Sequence, residues 1–277
     1  YSGNMNNMEF LKISIDQVKQ MLDFSLLQVY SLKNDEVVLD KVLDIRDAGI
    51  QYHRSGIGLK NKGGNDLYER LFSPDNQQFK NNRPVWYGKL INEYFISPIT
   101  DEYFNLDFKI VLKSNESVSF SSQSFDIKEK ILWRQTASSI IGVIDNKSRW
   151  FRNTIQCGWL REESQGVFDL KYILALLNSS YLRYLYQKIV NESEGRAFPQ
   201  VKVTHVKKLP IKRAGKYQQE EIVEIVNKIF QITNSDDFQK NVSLHAMVNE
   251  YRKIIDRLVY KLYSLTQEEI NIIEEKS

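Results

Sequence analysis

The sequence predicts an α+β fold: a mixed α/β body of strands and short helices, flanked by a helical amino-terminal segment and a carboxy-terminal helical bundle or coiled-coil region. Two observations predict it. Short β-rich runs separated by turn residues fill 35–214. Helically spaced apolar residues fill both flanks, 1–34 and 215–277.

Taken in order, Ile15, Val18, Met21 or Leu22, Leu26 and Val29 mark a first helix over 13–30, expected to pack with the carboxy-terminal helices. Strands are expected at 37–39, 94–99, 108–112, 130–134, 139–144 and 152–160. Asp169 is placed to cap a helix running to Leu177, and Asn178, Ser179 and Ser180 interrupt it before it resumes at 181–190. Ile222, Val223, Ile225, Val226, Ile229 and Phe230 form an apolar stripe. Leu244, Val248, Tyr251, Ile255, Leu258 and Leu262 step by four and three, a heptad-like seam expected to meet the first helix or a domain outside this chain. Thr266 with Glu269 makes a capping box for a last short helix.

The chain has 277 residues and a net charge of only +3, so a polyanion-binding face must come from local segregation of charge. Such segregation exists. Residues 128–161 carry seven basic side chains against Glu129 and Asp145. Residues 195–216 carry Arg196, Lys202, Lys207, Lys208, Lys212, Arg213 and Lys216 and no acid, around an apolar center of Val201, Val203, Val206, Leu209 and Ile211. A segment both packed and basic suits a folded surface that neutralizes phosphates.

Other chemistries are poorly supported. Cys157 is the only cysteine, which excludes an internal disulfide and a cysteine-cluster zinc site and fits a reducing cytoplasm. His53, His205 and His245 lack metal-ligand spacing. Gly56-Ile57-Gly58 follows no apolar strand and reads as a flexible loop. None of the five prolines is adjacent to another, so the Asn/Asp-Pro-Pro-aromatic tetrapeptide of amino-group methyltransferases is missing. Asp101 with Asp107-Phe108-Lys109 is the nearest approach to a nuclease acid cluster, and a metal-dependent nuclease is one alternative. A scaffold module, with the helical tail as the interacting part, is the other.

Base reading needs paired donors and acceptors, with Arg suited to guanine and Asn or Gln to adenine. Arg134, Gln135 and Thr136 supply such groups at a strand end, although Arg134 can instead pair with Asp145 inside the sheet. Lys147, Arg149 and Trp150 form a turn suited to the DNA backbone. Lys60 and Lys62 sit in a glycine-rich loop that can order on DNA, and Arg196, Gln200 and Lys202 flank the apolar Phe198-Pro199.

Four segments, KILWRQTASSIIGVIDNKSRW (130–150), YILALLNSSYLRYLY (172–186), GRAFPQVKVTHVKKLPI (195–211) and IDRLVYKLYSLTQEEINIIE (255–274), appear together in that order, and PVWYGKLINEYFI (84–96) joins them. Together they resemble the carboxy-terminal part of TaqI-like adenine-specific DNA methyltransferases and fused restriction–modification enzymes, and also the specificity subunits of type I restriction enzymes. The resemblance implies a target recognition domain at 35–214 that selects a site on double-stranded DNA. It implies a methyltransferase domain upstream in the same polypeptide, binding S-adenosylmethionine there and not here. The chain begins at Tyr1 rather than Met, which fits a piece of a longer protein. No apolar run reaches membrane-spanning length, and a cytoplasmic location is expected.

Overall fold

The computed structural model describes residues 32–55, 64–193 and 200–275. The helix expected at 13–30 and the Gly56-Ile57-Gly58 loop lie outside the described residues. Strands follow in the order β1 (Glu36–Val38), β2 (Leu43–Arg46), β3 (Gln51–Arg54), β4 (Phe72–Ser73), β5 (Asn82–Trp86), β6 (Ile91–Asn92), β7 (Phe95–Ile96), β8 (Tyr103–Asn105), β9 (Glu116–Ser119), β10 (Lys130–Arg134), β11 (Gly142–Asp145), β12 (Trp150–Phe151), β13 (Ile155–Leu160) and β14 (Pro210–Lys212). Helices are α1 (Gly64–Leu71), α2 (Phe108–Val111), α3 (Ser122–Asp126), α4 (Leu170–Asn178), α5 (Ser180–Ser193), α6 (Val203–Val206), α7 (Lys216–Thr233), α8 (Val242–Leu262) and α9 (Gln267–Glu274). Among the described residues no helix is long and apolar enough to cross a membrane.

An antiparallel sheet ordered β11-β10-β13-β2 divides two hydrophobic cores. The division follows from strand alternation, which sends successive side chains to opposite faces. On β10, Ile131 and Trp133 join the core beneath the helices, while Leu132 joins the other. On β13, Ile155 and Cys157 join the second core, packed against a sheet ordered β12-β5-β8-β4. Trp133 lies against Gly158, where an added Cβ would stand 3.3 Å from its ring. That close approach explains the glycine.

The helical layer is built by α4, α5, α7 and α8. Asp169 caps α4, its carboxylate accepting from the Lys171 N–H at 2.7 Å. Asn178 ends α4, and its amide binds both the N–H (2.8 Å) and the carbonyl (3.0 Å) of Gly142, tying the helix to β11. The heptad-like seam of α8 buries Val248, Ile255 and Leu262, and it packs on α7 and α5 of this same chain. Helices on both sides of residue 214 therefore share one core. The Thr266–Glu269 capping box opens α9.

Several strand expectations need correction. Residues 108–111 form helix α2 and Leu112 follows it, because Phe108, Val111 and Leu112 recur at helical period and pack together on the second core while Ile110 is exposed. Strand β11 begins at Gly142 and β13 at Ile155, later than expected. Residues 94–99 contribute only β7, the return strand of a two-residue hairpin with β6.

Candidate nucleic-acid interface

The site lies where β10 leaves the central sheet. Past Arg134 the chain still holds backbone pairing. The Gln135 N–H donates to the Thr154 carbonyl at 2.9 Å, and the Val201 N–H donates to the Gln135 carbonyl at 2.6 Å. Thr136 forms an antiparallel bridge with Gln200. These bonds bring Gln135, Thr136 and Gln200, distant in sequence, onto one sheet end, with the Thr136 and Gln200 side chains exposed. Lys202 follows, exposed at the start of α6, its N–H donating to the Tyr186 hydroxyl at 3.1 Å. On the other side, the turn 88–90 presents Lys89, and the Gly88 N–H donates to the Thr154 Oγ1 at 3.0 Å.

Arg134 is half-buried at this end. Its Nε donates to the Ile91 carbonyl at 2.5 Å and its Nη2 to the Asn92 Oδ1 at 2.8 Å. Burial without a neighboring carboxylate pushes its pKa below the usual guanidinium value. The expected alternative, an Arg134–Asp145 pair, is replaced by a different one. Asp145 is fully buried, 3.1 Å from the Lys130 Nζ and 2.7 Å from the Arg149 Nη1.

That ion cluster also corrects the Lys147–Arg149–Trp150 expectation. Arg149 is buried, bound to Asp145 and set 5.0 Å over the Trp86 ring, so its charge is engaged inside the fold. Trp150 packs among Phe120 and Phe125, with the Arg83 guanidinium 4.9 Å from its ring center. Lys147 is exposed, but it follows Asp145, which pairs with Lys130 at the far end of β10 from Arg134. Four residues of strand put that end about 13 Å away. Lys60, Lys62, Arg196 and Phe198 lie outside the described residues.

Other cations are already balanced. Glu116, with a fully buried side chain, accepts from Arg54 and Arg70 at 2.7 Å each, and these bonds, Arg70 first, hold its carboxyl down at about 2. Arg152 pairs with Glu102 at 2.7 Å. Glu93, set under α5 and α8, takes Arg183 at 2.6 Å and also Arg252. Asp101 accepts from the Tyr87 hydroxyl and Asp107 from the Asn81 amide, each on its own. Among the described residues no three His, Cys, Asp or Glu side chains gather as a metal site.

Sequence reasoning missed Lys89, Asn92 and Thr154. The first two lie in PVWYGKLINEYFI, a segment already singled out, yet only the fold shows β6 against Arg134.

Comparisons with known proteins meet this geometry. Residues 83–211 match the family model described as the TaqI-like C-terminal specificity domain. The HsdS subunit from Thermoanaerobacter tengcongensis is similar in structure, with 12% identity and a TM-score of 0.38, covering 89% of this chain and 51% of its own. The type IIL restriction-modification enzyme MmeI in complex with DNA shows 11% identity and a TM-score of 0.46, covering 79% of this chain and 33% of its own. The type IIG restriction endonuclease BpuSI shows 10% identity and a TM-score of 0.39, covering 87% and 33%. The chain thus spans between a third and about half of each. No curated protein matches it in sequence. Residues 83–211, the stretch similar to the TaqI-like C-terminal specificity domain, hold Asn92, Arg134, Gln135, Thr136 and Gln200.

Proposed function

We propose that this chain holds double-stranded DNA across the open end of the central sheet and selects the target site for an adenine methyltransferase domain located upstream in the same polypeptide. One observation carries the placement. Every other arginine that is at least partly buried among the described residues, namely Arg54, Arg70, Arg149, Arg152, Arg161, Arg183 and Arg252, pairs with a carboxylate. Arg134 meets only neutral acceptors. A half-buried cation left without an anion is costly by itself and suits a site completed by an electronegative partner.

In this reading Arg134 and Gln135 address base edges, while Thr136, Gln200, Lys202 and Lys89 set the register on phosphates. The residues present do not fit S-adenosylmethionine. The proline-pair tetrapeptide is absent, and Glu93, the carboxylate at the cleft between β6 and α8, is held by two arginines. The cofactor belongs with the upstream domain, and no step of methyl transfer is assigned to this chain.

The test is binding to labelled duplex DNA across a potassium chloride series. About six neutralized phosphates give a log–log slope near −5. Arg134→Ala should relax preference at one base position yet leave that slope within about one unit. A salt-independent affinity would sink the proposal.

A further inference from the structure

The structure assigns Asn92 a role in specificity: it fixes Arg134 so that the paired-donor edge of the guanidinium selects guanine in the major groove. This rests on the DNA reading above and names the base it reads.

The Arg134 Nε and Nη2 lie along one edge of the guanidinium, and both donate to β6, to the Ile91 carbonyl at 2.5 Å and to the Asn92 Oδ1 at 2.8 Å. The amide orientation of Asn92 follows, since an NH2 group at that position would set donor against donor. One lone pair of Oδ1 is taken by Arg134, and the two Nδ2 hydrogens of Asn92 remain to donate. The end edge of Arg134, with one hydrogen each from Nη1 and Nη2, is also unused, and none of its nitrogens is a buried unpaired donor. It therefore reaches solvent. That Arg134 edge presents two adjacent donors and no acceptor. Guanine offers two adjacent acceptors, O6 and N7, on its major-groove edge, whereas adenine and cytosine each place a donor there.

The head is also held still, which base selection requires. Asn92 is the last residue of β6 before the two-residue turn of Glu93 and Tyr94. Tyr94 has a positive φ of 60°, unusual for a residue with a side chain, and it is enforced from every side. Its ring is buried in the helical core, its N–H donates to the Gly142 carbonyl at 2.9 Å, and its carbonyl accepts from the Thr233 Oγ1 at 3.1 Å. Glu93 is pinned by Arg183 and Arg252. The hairpin tip is thus anchored in the helices and its base aims Arg134.

The test is selection from a randomized duplex pool by the full chain, followed by sequencing of the bound DNA. The wild type should enrich one guanine position whose replacement costs about 5- to 150-fold in affinity. Replacing that guanine by 7-deazaguanine, which lacks the N7 acceptor, should weaken binding in the same range. Asn92→Ala and Arg134→Ala should each relax that same position, and the double variant should relax it no further than Arg134→Ala. Asn92→Asp, which keeps the side-chain shape but gives Arg134 a carboxylate, should also lose the guanine. Enrichment of another base there, relaxation of a different position, or an equal loss on all sequences in Asn92→Ala and Asn92→Asp would overturn the pair while leaving DNA binding intact. A wild type that enriches no sequence but binds DNA also overturns it, and one that binds no DNA overturns the functional proposal itself.

Discussion

Asp145→Ala should destabilize this fold more than any other single change in the central sheet. The Asp145 carboxylate is fully buried and accepts four hydrogen-bonding or ionic contacts: the Lys147 N–H (3.1 Å), the Arg149 N–H (2.9 Å), the Arg149 Nη1 (2.7 Å) and the Lys130 Nζ (3.1 Å). Removing it strands two buried cations. Lys130 would retain the Phe125 and Ile127 carbonyls at 3.1 and 2.9 Å, and Arg149 would retain the Trp86 ring. Breaking a buried ion pair by removing one partner costs about 3–5 kcal/mol. At a urea slope of about 3 kcal/mol/M, the midpoint should fall by roughly 1–1.7 M, followed by tryptophan fluorescence. The pH dependence has a definite sign. Burial works to raise the Asp145 pKa, but Lys130 and Arg149 together outweigh it and hold the carboxyl below its ordinary value. Its contribution is therefore complete above the unfolded value of about 3.9 and is lost as pH falls through the lower folded value. A midpoint shift under about 0.3 M, or equal acid sensitivity in variant and wild type, would refute the reasoning.

Other expectations follow from the same structure. Arg149→Ala should lower the unfolding temperature but leave the salt slope of DNA binding unchanged, and a shallower slope would return Arg149 to the DNA face. Burial pushes the Cys157 thiol up to about 12, so it should ignore a thiol reagent in the native protein and react once per chain after denaturation. Fast native labelling would contradict its place in the second core. Glu116→Gln should flatten the acid limb of the stability curve. The Glu116 carboxyl is held at about 2, so its contribution is present above the usual value of about 4.3 and disappears as pH falls toward the folded one. Equal acid limbs in the two proteins would show that Arg54 and Arg70 find other partners. Gly158→Ala should cost about 1–3 kcal/mol by pressing on Trp133, measurable by thermal melting, and an unchanged melting temperature would mean that the ring can shift.

Local signals carried most of the fold. Asp169, the Asn178–Ser180 break, the Thr266–Glu269 box and the seam of α8 were legible because each is decided by neighbors within two turns of chain. Strand β10 matched over 130–134 for the same reason. The failures are tertiary. The apolar residues of 108–112 serve strand and helix alike over so short a run, and only the second core chooses. For the site, residue type pointed to Arg134, Gln135 and Arg149 equally. Arg149 is withdrawn by a carboxylate four residues away, and Arg134 is exposed to the same temptation in sequence but sits at the opposite end of the strand. Asn92 was invisible because its significance is a contact 42 residues distant in the chain.

The backbone bridge between 135–136 and 200–201 has a consequence for how such a domain diversifies. There main-chain bonds, with Val201 packed in the core and the Tyr186 hydroxyl on the Gln200 carbonyl, close the seam, so the exposed side chains of Thr136 and Gln200 carry no architectural duty. On the proposed reading, new side chains can be installed at those two positions without rebuilding what lies beneath, and a lineage can shift its target by small steps while the scaffold is inherited intact.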